Sequence, residues 1–284
     1  MRDRLIFRLG QALLAFGLVS SCALAPKPGG GSMPVGAFAG CFGFAELTIG
    51  KDGRTVSQAM FAPGGGDVIT VVKADGRIRR DGDWFVVTLT SGPPEFARSA
   101  IPVTQRLHPV DVQGRMFLLD QITLIDLVNT ANRFGPSTVT SVGCYLHRTT
   151  TRGGDQQINL PPDALLIPEY RKLVLSTPLL GKVASIGTVS SESINVAPLM
   201  QPARMVTRYS ARIMIDRGGA AGVFAGMRLF VGPRNTEAIV DEVTRDTSQA
   251  RIAWFDEAPS AGSAVSSAPR PATEKADQPG QRTP

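Results

Sequence analysis

Cysteine and histidine are the side chains best suited to chemistry near neutral pH, and the chain holds three of one and two of the other: Cys22, Cys41 and Cys144, with His108 and His147. Only Cys144 and His147 lie close enough in sequence to suggest the thiolate–imidazole pair of a cysteine hydrolase. Three residues apart along a strand, two side chains leave opposite faces of the sheet. The spacing therefore favours a structural cysteine beside a strand-end histidine. There is no His-x-His, His-Glu-x-x-His or Cys-x-x-Cys, so the sequence offers no dedicated metal site and implies no cofactor. A Gly-x-Ser-x-Gly nucleophile elbow is also missing. The acid pairs Asp241-Glu242 and Asp256-Glu257 are adjacent in sequence beside turns and read as solvated charges, although acids distant in sequence leave a glycosidase formally open. No catalytic residue is assigned, and the ligand-binding residues are unknown at this level.

The role of Cys22 follows from what precedes it. Arg2, Arg4 and Arg8 form a positive head, and residues 9–19 are an apolar run too short to span a bilayer of roughly 30 Å at about 1.5 Å per residue. That is the form of a secretory signal. Val19-Ser20-Ser21-Cys22 resembles the lipobox of bacterial lipoproteins, which implies removal of residues 1–21 and lipidation of Cys22. Cleavage after Ala23-Leu24-Ala25 is the competing reading; it places Pro26 after the cut, where secretory signals tolerate proline poorly. An uncleaved membrane helix is the third, and it suffers from the short run. Ala23 stands where inner-membrane-retained lipoproteins of enteric bacteria carry Asp, so the resemblance implies the periplasmic face of the outer membrane. Several acyl chains hold stably where one holds marginally. With Cys22 lipidated and the chain exported, Cys41 and Cys144 remain as an even pair in an oxidising compartment, and a disulfide is expected. A bridge across about 100 residues contributes roughly 4 to 5 kcal/mol in the chain-entropy model, less any strain. Two buried free thiols are the alternative.

Removing 21 of the 284 residues leaves 263, enough for one large or two ordinary domains. The net charge of +6 drops to about +4 without the leader, which holds three arginines and one aspartate. Charges of both signs are interspersed without a basic run among aromatics, so nucleic acid is not an expected partner. Weak attraction to anionic lipid or envelope polymer remains open, with simple solubility as the blander account. Three tyrosines and two tryptophans supply few platforms for carbohydrate.

With 30 Gly and 21 Pro, short apolar stretches alternate with Gly, Pro and Asp turns, the pattern of a mainly β (α+β) protein. Residues 22–36 read as a flexible tether. Residues 37–148 read as one β-rich domain, an antiparallel meander or barrel with one helix. Strands are expected at 42–49, 55–61, 67–73, 84–90, 101–107, 116–119 and 141–146, with Asp-Gly turns at 50–54, 74–77 and 80–83. The helix is expected over about 120–133, capped by Asp120 and ended by Gly135-Pro136. Gly40-Cys41-Phe42 and Gly143-Cys144-Tyr145 share an order, consistent with first and last strands side by side. The strand order loosely resembles lipocalin-like sheets, without a motif that carries a ligand over.

Residues 149–178 read as a linker followed by a helical segment at 163–177 interrupted by Pro168. Strands resume at 180–189, 194–197, 207–215, 238–243 and 249–255. Gly222-Val223-x-x-Gly226-Met227, lying between strands, with Gly262-x-x-Val265 near the end, resembles small barrel modules of bacterial envelope assembly proteins, such as the rod-shape-determining periplasmic protein. The likeness spans about 180–267 and implies a small SH3-like barrel over 179–267 that works in protein–protein assembly. Gly218, Gly219, Gly222 and Gly226 are folding residues on this reading, because a phosphate loop needs a following Lys-Ser/Thr. Residues 268–284 read as a disordered tail.

The function expected from these readings is a non-catalytic, outer-membrane-anchored lipoprotein that binds or scaffolds other envelope proteins. The alternatives are a lipocalin-like carrier of an apolar ligand and, with less support, an envelope hydrolase. Intact mass of protein extracted from its host's membranes, with and without reduction, separates these readings. A mass starting at Cys22 plus acyl groups is expected, with Cys41 and Cys144 alkylated only after reduction. A soluble product starting at Pro26 defeats the anchor, and a freely alkylated Cys144 defeats the bridge.

Overall fold

The computed structural model describes residues 27–28, 33–40, 45–63, 69–92, 103–112, 114–138, 146–148, 160–196 and 204–270. Cys22, Cys41 and Cys144 lie outside them, as do the leader and residues 271–284.

Alternation of apolar and polar residues builds the first barrel. Strands β1 (Lys27–Pro28), β2 (Gly36–Gly40), β3 (Ala45–Ile49), β4 (Thr55–Pro63), β5 (Ile69–Asp81), β6 (Trp84–Ser91), β7 (Val103–Val112) and β8 (Arg115–Asp120) precede helix α1 (Gln121–Phe134), and β9 (Leu146–Arg148) follows it. From β2 to β8 each strand pairs antiparallel with the next. After the helix, β9 pairs with both β8 and β2 and closes the meander into a ring of eight strands. Phe38, Leu47, Ile49, Val87 and Leu89 fill the interior, each at most 1% exposed.

Two local expectations need correction. Asp75-Gly76 is not a turn: it lies within the 13-residue β5, where the register to β6 slips between Asp75 and Gly76. A Cβ at Gly76 would stand 2.1 Å from the Thr88 carbonyl oxygen, so glycine here permits a close strand crossing rather than a reversal. The tether expected over 22–36 is partly structured. Lys27 and Pro28 pair with Asp111 and Val110 of β7, and Met33 packs against the barrel core. Strand β9 spans 146–148; of the strand expected at 141–146, residues 141–145 lie outside the described residues. First and last strands of the meander are neighbours, with Phe38 opposite Arg148 and Ala39 opposite His147.

Helix α1 begins where the Asp120 carboxylate accepts the Thr123 N–H at 2.7 Å, and ends where Gly135, at φ +97°, donates to the Ala131 carbonyl. Its residues Leu124, Leu127, Val128 and Ala131 bury against the outward-facing Val110, Phe117 and Leu119 of β7 and β8. Leu165, Leu166 and Ile167 complete this second core. They explain why the helical segment expected over 163–177 shrinks to two single turns, α2 (Pro162–Leu165) and α3 (Pro168–Arg171). Leu166 and Ile167 are extended between the turns because both are buried against α1 and because the residue before Pro168 is excluded from helical backbone.

A second, smaller barrel follows: β10 (Leu180–Ile186), β11 (Ser190–Val196), β12 (Arg204–Ile215), β13 (Arg228–Val231), β14 (Thr236–Val243), β15 (Ser248–Trp254) and β16 (Ala264–Ser266). The ring runs β10-β16-β13-β14-β15-β12 and closes through β10–β12 pairing. Ile213, Ile215, Met227, Leu229 and Val265 are fully buried within it.

The two barrels meet across α1. Asn129 Nδ2 donates to the Gly226 carbonyl at 3.0 Å, and its Oδ1 accepts the Arg228 N–H at 2.9 Å. Arg228 also reaches Asp126 at 3.1 Å, and Asn132 Oδ1 accepts the Leu175 N–H at 2.7 Å. Phe224 packs against the cores on both sides. Because Asn129 is buried, Asn129→Ala strands one donor and one acceptor of the second barrel's backbone. It is expected to lower stability by about 1–3 kcal/mol, read from the midpoint of urea unfolding.

Candidate functional site

Residues with catalytic potential do not converge among those described. His108 sits on the outward face of β7 beneath Trp84, ring to ring at 5.1 Å and 87°, with Nδ1 3.0 Å from the Pro109 carbonyl. His147 lies in β9 opposite Ala39 and Phe117. Three of the four paired acids are engaged by arginine: Asp241 with Arg251 at 2.8 Å, and Asp256 and Glu257 both with Arg234 at 3.2 Å. Among the described residues no group of three His, Cys, Asp or Glu is placed to hold a metal.

The glycine-rich segment is a tight structural turn. Gly218 abuts the 244–247 turn so closely that a Cβ would lie 2.5 Å from the Thr244 carbonyl oxygen, and Gly222 and Gly226 hold φ of +86°. Its N–H groups are used internally, with Gly219 donating to Thr244 and Ala220 to Arg245.

The feature that sequence reasoning missed is a β-ribbon. Among the described residues, 204–208 of β12 pair with β11 alone, so the two strands run out beyond the ring, and one edge of β11 has no described partner. One face carries the cross-strand pairs Glu192–Arg208, ion-paired, and Ile194–Val206; the other carries Met205, 65% exposed, opposite Asn195. Along the ribbon, from its far pair Val196–Arg204 to Tyr209 where it joins the ring, a concavity of about 500 Å³ is lined by Val196, Arg204, Val206, Tyr209, Phe255 and Asp256. Tyr209 stacks on Trp254 at 6.1 Å, and Phe255 is half exposed. The available signal was alternation without a consistently apolar face over 190–196, the mark of a strand with little core to cover.

Burial holds the His108 imidazole below its ordinary pKa of 6.5, against the opposing pull of the Pro109 carbonyl and the charges of Asp83 and Glu169. The unfolded chain then binds the proton more readily than the folded one. This contribution to stability is complete above the ordinary value and is lost as pH falls below it. Thermal midpoints compared at about pH 7.5 and about pH 5.5 are expected to show a smaller drop for His108→Gln than for the unsubstituted protein.

No family model, curated protein or solved structure matches the chain.

Proposed function

We propose that the protein is a non-catalytic scaffold of the bacterial envelope, lipid-anchored through Cys22 to the periplasmic face of the outer membrane, and that it binds other envelope proteins through the β11–β12 ribbon. The ribbon carries this reading. It holds Met205 clear of the second barrel's core, presents a β11 edge that no described strand covers, and borders a concavity where Val196, Val206 and half-exposed Phe255 lie beside Arg204 and Asp256. Open strand edges and exposed apolar clusters are features through which chains join one another. The lipobox-like Val19-Ser20-Ser21-Cys22 supports the anchor. A Cys41–Cys144 bridge belongs to the same reading; it rests on the even cysteine pair left in an exported chain once Cys22 is lipidated.

An apolar carrier is the weaker reading. A carrier needs an empty apolar cavity, whereas Phe38, Leu47, Val87 and Leu89 occupy the interior of the first barrel.

A photo-crosslinking residue at Met205, in the full chain and in its own host's envelope, is expected to give a discrete adduct. The same probe at Thr90, exposed on the first barrel, should give none. Phe255→Asp should abolish the Met205 adduct without releasing the protein from the membrane fraction. Identical adducts from both positions, or a Met205 adduct insensitive to Phe255→Asp, count against the ribbon as the docking surface.

A further inference from the structure

The outer face of the first barrel concentrates arginine that the scaffolding role leaves unused. Ile78 is buried in the core, so its neighbours Arg77 and Arg79 leave β5 on the outward face. Strand register sets Arg77 between Thr55 and Thr88, and Arg79 beside Val86, whose other neighbour is Arg106. Arg77, Arg79, Arg54, Thr55, Thr88 and Met33 line a groove of about 700 Å³.

The charges of this groove are largely unspent. Arg106, at its margin, is occupied by Asp81 at 3.3 Å and lies over the Trp84 ring. Arg54, Arg77 and Arg79 are exposed and have no carboxylate partner among the described residues. Asp52 is the acid in the lining, and one of its oxygens already accepts the Arg54 and Thr55 N–H groups and the Thr55 hydroxyl at 2.9–3.0 Å. Guanidinium forks beside the Thr88 hydroxyl match the oxygens of a phosphate group.

Location selects the source of that phosphate. In an antiparallel meander the β3–β4, β5–β6 and β7–β8 turns share one end of the barrel, and the groove reaches the first of them through Asp52, Gly53 and Arg54. The N-terminal chain enters at the same end. Met33 lines the groove, and β1 pairs with Val110 and Asp111 near the β7–β8 turn. Cys22 is eleven residues before Met33, at most about 38 Å of extended chain. We propose that this groove seats the first barrel on the phosphate-bearing headgroups of anionic phospholipid in the membrane that holds the Cys22 anchor. The inference rests on the anchored reading for its choice of membrane over free phosphate.

Flotation of the full chain carrying Cys22→Ser, which cannot be acylated, tests it. Binding to vesicles of phosphatidylglycerol in phosphatidylcholine is expected to exceed binding to phosphatidylcholine alone and to fall with added salt. Arg77→Gln with Arg79→Gln should lower the partition coefficient by roughly 25-fold, at about five-fold per basic residue near an anionic surface. The charge-matched pair Arg212→Gln and Arg245→Gln, in the second barrel, should leave it unchanged. Equal loss from both pairs, equal binding to both kinds of vesicle, or displacement by low-millimolar inorganic phosphate overturns headgroup docking. Acylation is scored separately, from the mass of the unsubstituted protein. An unmodified Cys22 therefore defeats the anchor, while headgroup docking stands or falls on the vesicles.

Discussion

The two barrels meet across one helix, and the carboxamide of Asn129 lies buried at that meeting. A buried amide has a donor and an acceptor to satisfy, and both find backbone partners in the second barrel, at Gly226 and Arg228. Gly226 must be glycine for two reasons at once: its φ is +86°, and a Cβ would press to 3.0 Å from Ile125 of the helix. The opposite side of α1 buries Leu124, Leu127 and Val128 on the first barrel. The helix is thus apolar toward its own barrel and polar in a directed way toward the other. Apolar contact alone tolerates sliding, whereas two hydrogen bonds to fixed backbone atoms select one orientation.

Much of this was legible because local chemistry and tertiary structure agree. Asp120 and Gly135-Pro136 bound the helix, Asp81-Gly82 and Asp52-Gly53 make their turns, and the paired Gly-Cys-aromatic segments mark strands that do lie side by side or lead into them. Where the reading failed, a distant contact overruled a local signal. Asp75-Gly76 has the composition of a turn, but its glycine is needed for the approach of Thr88. Residues 163–177 have helical spacing, but Leu166 and Ile167 are drawn straight by burial beneath α1. The ribbon and the arginine groove were hidden for another reason. A surface made from several strands has no period within any one of them, and Arg54, Arg77 and Arg79 become neighbours only through register.

The two barrels divide their surfaces differently. The first faces outward with basic and hydroxyl groups around the end where the chain enters, and the second extends an arm whose exposed groups are mixed apolar and paired charge. Among the described residues both interiors are packed with the protein's own apolar side chains. The inter-barrel helix then sets the angle and distance between the two outer faces.

The closure of the second ring has a consequence for how the protein is made. Strand β10 pairs with β16, so Leu180 meets Ser266 and Lys182 meets Ala264. In the first ring β2 waits for β9 in the same way. Each ring therefore holds its opening strand unpaired on one side until its final strand has been synthesised, and contacts of such long sequence separation form slowly. Made from its N-terminus, the chain presents these open edges in order, first β2 and then β10. The time between the arrival of an opening strand and its closing partner is the interval in which aggregation competes with folding.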